Sequence, residues 1–130
     1  MDQKTEEQFV QIYIAKNKRE RLLFELQSKK RSDGIGRFCH RTDELLINEK
    51  VKAKGPEIWE KIESRIRMSK AQTCYVISFF PDLDGKVFRK QEVMEKIIGR
   101  GMPSIAIFDD FTIIETEQEQ GPAIKYLLEK

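Results

Sequence analysis

Thr73-Cys74-Tyr75-Val76-Ile77-Ser78-Phe79-Phe80 is almost wholly apolar on both of its alternating faces. A strand covered on both sides of its sheet has this pattern. Pro81-Asp82-Leu83-Asp84-Gly85 breaks the run. The spacing after it predicts a helix over 88–98, with Val93, Met94, Ile97 and Ile98 inward and Gly99 and Gly101 ending it. Pro103 precedes a second apolar strand over 104–108. Asp109-Asp110 then turns the chain into a third strand over 111–115, giving a hairpin. Gly121-Pro122 is read as opening a last helix that carries Ile124, Leu127 and Leu128.

Upstream of Thr73 the periodicity is helical. Residues 5–30 read mainly as helix, with Phe9, Ile12, Tyr13 and Ala15 on one side and Leu22, Leu23 and Leu26 resuming the stripe. The charged stretch 16–21 has no apolar residue, so one long helix and two pieces both fit, and a strand over 22–26 is the main competing reading. Ser32-Asp33-Gly34 is a turn signal. A second helix over 35–47 puts Ile35, Phe38, Cys39, Thr42, Leu45 and Leu46 inward. Residues 50–54 read as a polar connector. Gly55-Pro56 is expected to open a third helix, striped by Ile58, Trp59, Ile62 and Ile66.

These elements predict an α/β (α+β) fold. A helical N-terminal half packs on a small sheet, with strand-helix-strand-strand-helix order in the C-terminal half. Two like strands flanking a helix suggest a right-handed crossover. No linker divides the chain, so one domain over 1–130 is expected, helical to about residue 70. The 130 residues are 39% apolar and 35% charged, enough for a core beneath a densely charged surface.

Composition narrows the chemistry. The two cysteines, Cys39 and Cys74, are far apart and sit beside aromatic residues, so they read as buried apolar groups, not a disulfide framework. One histidine and no CxxC make a zinc centre unlooked-for, and no cofactor is expected. The first seven residues are polar and acidic, unlike a signal peptide, and no apolar run approaches a membrane span. A cytoplasmic, non-membrane protein is the expectation.

The net charge of +2 hides an uneven distribution. Residues 16–41 hold nine basic side chains against three acids, a net of +6, whereas 109–119 hold five acids and no base. Lys29, Lys30, Arg31, Arg37, His40 and Arg41 are the candidate anion-binding residues, gathered by a turn and by helical spacing. Guanidinium groups so placed suit phosphates, which predicts nucleic acid or an acidic protein as partner. The acidic block, Asp109, Asp110, Glu115, Glu117 and Glu119, fits a divalent-ion site, a solvated hairpin rim, or a surface for a basic partner, a second copy of this chain in a homo-oligomer included.

Two local resemblances carry further expectations. Asp82-Leu83-Asp84-Gly85 after an apolar strand resembles the first motif of the haloacid dehalogenase phosphatases. The resemblance implies Asp82 as nucleophile, Asp84 as general acid/base, and magnesium, which Asp109 and Asp110 would help to hold. The sequence departs from that pattern: Lys86 stands where threonine is usual, Pro81 intrudes, and 48 residues follow Asp82 where that fold has most of its body. Separately, Met102-Pro103 with the strand, turn, strand and helix read after it is similar to the closing segment of the thioredoxin fold, which implies a cis proline. The redox CxxC is absent. The preferred reading of the sequence is a non-enzymatic binding or regulatory domain using the basic window. The alternatives are an interaction module using the acidic hairpin and a metal-dependent phosphoryl-transfer enzyme or nuclease.

Overall fold

The computed structural model describes residues 1–117 and 121–130. Its centre is a six-stranded sheet in the order β1-β6-β5-β4-β2-β3, built from β1 (Val51–Gly55), β2 (Thr73–Ser78), β3 (Lys86–Arg89), β4 (Ser104–Ile107), β5 (Phe111–Glu115) and β6 (Lys125–Glu129). Every pairing is antiparallel. Helices α1 (Gln3–Tyr13), α2 (Arg19–Leu26), α3 (Arg31–His40) and α4 (Thr42–Leu45) precede it, and α5 (Trp59–Arg67) lies between β1 and β2.

The mixed helix and strand composition and the helical N-terminal half agree with the sequence. Alternation along the strands explains the layers. Tyr75, Ile77, Ile105, Ile114, Tyr126 and Leu128 pack with Phe9, Tyr13, Leu22, Ile35 and Phe38 of α1–α3. Their neighbours Cys74, Val76, Ala106, Phe111, Ile113 and Leu127 point to the other face, against Ile58, Ile62 and Ile66 around α5 and against Val93 and Ile97. Two apolar faces on β2, β5 and β6 thus require helices on both sides of the sheet.

Several elements differ from expectation. Residues 22–26 are helical, and the first helix is split into α1 and α2 between Tyr13 and Arg19, around a short turn at Lys16–Lys18. The expected helix over 35–47 starts earlier, as α3, and re-forms briefly as α4. Residues 51–55 are an edge strand, not a connector. Gly55 takes a φ of 145° at its end, and α5 begins at Trp59 after Ile58, so Pro56 is in the preceding turn, not at the first helical position. The expected helix over 88–98 contracts to β3, a 3₁₀ turn and one wide helical turn at Val93–Ile97. The last element is a strand, β6, between β1 and β5, and β2 and β4 are antiparallel neighbours, so no parallel crossover exists among the described strands. The described peptide bonds are all trans. With a strand in place of the final helix, the likeness to the thioredoxin ending does not hold.

No described helix is long and apolar enough to cross a membrane.

Candidate functional site

Arg31 opens α3 and points inward. Its guanidinium donates to both carboxylate oxygens of Glu6 at 2.7 and 2.6 Å and to both of Asp84 at 2.7 and 2.9 Å, and Nη1 also reaches the Leu26 carbonyl at 2.9 Å. Tyr75 Oη donates to Glu6 at 2.6 Å, and the Ser78 N–H donates to Asp84 at 3.0 Å. The side chain of Arg31 is 12% exposed and that of Glu6 1%. Burial works against the Arg31 charge, but the bonds to Asp84 and Glu6 outweigh it and raise its pKa. Burial, and then the bond to Glu6, push the Tyr75 phenol up to about 12. The network clamps α1 and α3 to β2 and to the loop after it. Two residues that the sequence assigns to different sites, Arg31 and Asp84, are each other's partners.

The remaining cations of the basic window do not form one patch: four line a groove, and Lys29, Lys30 and His40 lie elsewhere, as does Arg19, whose Nε holds the Ile14 carbonyl at 2.9 Å. Lys18, Arg21, Arg37 and Arg41 line one groove of about 260 Å³ between α2 and the α3–α4 segment, floored by Leu22, Phe38 and Leu45. The helices approach closely where α3 carries Gly34: a Cβ there would lie 2.7 Å from Glu25 Cβ. Glu25 is the one acid lining the groove. It is buried, accepts from Arg37, and lies 3.7 Å from Arg21. Arg41 is held from outside the groove by Glu44 at 2.6 Å, and no carboxylate among the described residues pairs with Lys18. The lining therefore carries a net of +3, or +2 with Glu44 counted. Lys18 and Arg21 belong to this site but not to the candidate set. Their spacing with Glu25, three and four residues, lines up Lys18, the N-cap residue of α2, with Arg21 and Glu25 on one side of the helix. That signal is present in the sequence, but reading α3 by itself hides it.

Lys29 and Lys30 are exposed in the α2–α3 connection, away from the groove. His40 faces a different cleft of about 420 Å³, shared with Cys39, Asp43, Glu117 and Tyr126. Its Nε2 lies 2.9 Å from Glu117. Across the same cleft Tyr126 Oη donates to Asp43 at 2.9 Å, and Lys54 holds Asp43 at 2.7 Å. Burial pushes the Cys39 thiol up, and the Cys74 thiol up to about 12, so neither is a nucleophile near neutrality.

The carboxylates of the phosphatase reading do not meet. Ser78 pairs with Ser104 at one end of the β2–β4 ladder and Tyr75 with Ile107 at the other. Asp82 and Asp84 follow the first end and Asp109 and Asp110 the second, separated by about 10 Å or more of strand. Asp82 pairs with Arg100 at 3.3 Å, and Asp110 with Arg65 at 3.0 Å. No group of three or more His, Cys, Asp or Glu among the described residues is placed to hold a metal ion.

The acidic block is also dispersed. Glu119 lies outside the described residues. Glu115 is 1% exposed and takes the Gly99 N–H on both carboxylate oxygens at 3.0 Å, with Lys125 Nζ 3.9 Å away across the β5–β6 pair. Burial raises its pKa; the Gly99 N–H and Lys125 oppose the rise. A folded-state pKa above the unfolded one means that the native protein binds this proton more tightly. The stability so gained is present below the ordinary carboxylate value and is lost as pH rises through the raised value. Wild type should therefore lose stability relative to Glu115→Gln as pH rises above the ordinary carboxylate range, as read by urea denaturation. A difference that stays flat or grows would show that Glu115 is not strained by burial.

No protein-family model, no curated protein and no solved structure matches the chain.

Proposed function

We propose that the chain is a binding or regulatory domain that holds the phosphates of a nucleic acid in the α2–α3 groove. The observation that carries the reading is the convergence of Lys18, Arg21, Arg37 and Arg41 on one groove whose lining acid, Glu25, is single and buried. After Glu25 and Glu44 are counted the groove keeps an excess of two positive charges, which a phosphate would neutralise. Arg21 keeps 69% of its side-chain surface exposed, so it reaches a ligand without being pulled from the interior. Phe24, one turn after Arg21 on α2, is 62% exposed. Phe24 does not line the groove itself, but an exposed aromatic ring on the helix that carries Arg21 favours stacking on an unpaired base, hence a single strand over an acidic protein. Among the described acids of the hairpin, Glu115 is internal, Asp110 is tied to Arg65 and Glu117 lies 2.9 Å from His40, which favours the basic groove as the binding surface. We place this activity in the cytoplasm, where the two unpaired cysteines remain reduced.

Anisotropy titrations with labelled single-stranded DNA, single-stranded RNA, duplex DNA and heparin test the reading. Affinity should fall steeply between about 50 and 200 mM salt. Lys18→Glu/Arg21→Glu should weaken binding at least about tenfold and lower the salt slope by about 2. Binding that ignores salt, or that is unchanged in the double variant, would overturn the proposal. Heparin binding without nucleic-acid binding would move the reading to an acidic protein.

A further inference from the structure

We propose that the outer edge of β1, together with the groove between β1 and α5, takes an extended acidic peptide as an added strand. β1 is the terminal strand of the sheet: it pairs with β6 on one side and with no described strand on the other. Its pairing is irregular at Val51–Ala53, where the Val51 N–H is taken by the Asn48 carbonyl; past that point its outward N–H and C=O groups are a template for another chain. Alongside it runs a groove of about 370 Å³, lined by Lys52 and Ala53 of β1, Leu127 of β6, and Glu60, Lys61, Ser64, Arg65 and the adjoining Met68. Met68 is 74% exposed, so a flexible apolar side chain forms part of the open wall. A strand added to β1 would turn alternate side chains into this groove. Apolar residues at those positions would cover Ala53, Leu127 and Met68.

Charge selects the occupant. Lys50, Lys52 and Lys61 have no carboxylate partner among the described residues, whereas Arg65 is fixed by Glu129 at 2.7 Å and Asp110 at 3.0 Å and stacks over Phe111 at 4.1 Å. Lys54 is engaged by Asp43. The cations left for a ligand outnumber the groove's acid, Glu60. A second copy of the chain is disfavoured, because pairing two β1 edges would bring Lys50 and Lys52 of one copy close to the same lysines of the other, with no carboxylate among the described residues paired with them, and like charges so placed are destabilising. An acidic peptide turns the same lysines from a barrier into partners. β3, the other edge, also carries cations, but the groove of about 370 Å³ that its Val87 lines has two acids, Asp2 and Asp109, in its wall, which disfavour an acidic peptide there.

A labelled, capped seven-residue peptide of alternating glutamate and valine is the probe, with lysine in place of glutamate as the control. Anisotropy should show saturable binding of the acidic peptide alone. Amide shifts should concentrate on residues 50–55 and α5, and the β1 amides should exchange more slowly with bound peptide. Lys52→Glu/Lys61→Glu should weaken the peptide at least about tenfold while leaving the melting temperature and any binding at the α2–α3 groove unchanged. The proposal is overturned by no saturation up to about 1 mM peptide, by equal binding of the lysine control, or by shifts that map to β3 or to α2 and α3. A dimer in sedimentation that Lys52→Glu strengthens would assign the edge to a second copy and overturn it as well.

Discussion

Arg31→Met should destabilise the protein by about 3–5 kcal/mol, the cost of removing one member of a buried ionic network and leaving its partners charged. Glu6 would lose two bonds and Asp84 two, in positions where their side chains are 1% and 14% exposed. Water cannot replace the guanidinium at Glu6 without opening the contact between α1 and β2. Arg31→Lys is expected to fall between wild type and Arg31→Met, because a single ammonium cannot offer the fork that meets two carboxylates at once. Glu6→Leu and Asp84→Asn, added to Arg31→Met, should recover part of the loss, since they remove the uncompensated charges. Urea denaturation of the four proteins measures all of this. A loss below about 1 kcal/mol for Arg31→Met would mean that the network is a surface ion pair, and Arg31 would return to the set of side chains available to a ligand.

That network shows what kind of information the sequence withholds. Arg31 sits beside Lys29 and Lys30, and its neighbours make it look like one more surface cation. Its partner Asp84 lies 53 residues away in a loop that looks like a metal-binding turn. Nothing local marks either as buried; only the packing of α3 over the end of β2 does. The elements that were legible are those whose own pattern decides their environment. β2 is apolar on both faces, Asp109-Asp110 separates two apolar runs, and α5 carries Ile62 and Ile66 four residues apart. β6 was not legible, because Ile124, Leu127 and Leu128 fit a helical stripe as well as a buried strand, and short apolar runs do not distinguish the two. The edge strand β1 was legible in principle. Lys50-Val51-Lys52-Ala53-Lys54 alternates at the period of a strand, but lysines that guard an edge resemble a polar connector.

Two glycines on α3 put the α2–α3 packing, and so the groove, to a direct test. Gly36 has nothing within 4 Å of where a Cβ would stand. Gly36→Ala should therefore stabilise the protein by about 0.5–1 kcal/mol, the ordinary gain on replacing glycine inside a helix. Gly34 is two residues away and should behave in the opposite sense. Its Cβ would meet Glu25 Cβ at 2.7 Å and Glu25 Cδ at 3.5 Å. Glu25 cannot swing aside, because its Cβ is fixed to the α2 backbone and its carboxylate holds Arg37. The helices must separate instead, and overpacking of this kind costs about 1–3 kcal/mol, more than the same helical gain returns. Gly34→Ala should thus lower the melting temperature where Gly36→Ala raises it. It should also weaken nucleic-acid binding by displacing Arg37 from the groove, without removing any charge. Equal stabilisation by both alanines would show that α2 and α3 do not touch at Gly34, and the groove that gathers Lys18, Arg21, Arg37 and Arg41 would lose its geometry with them.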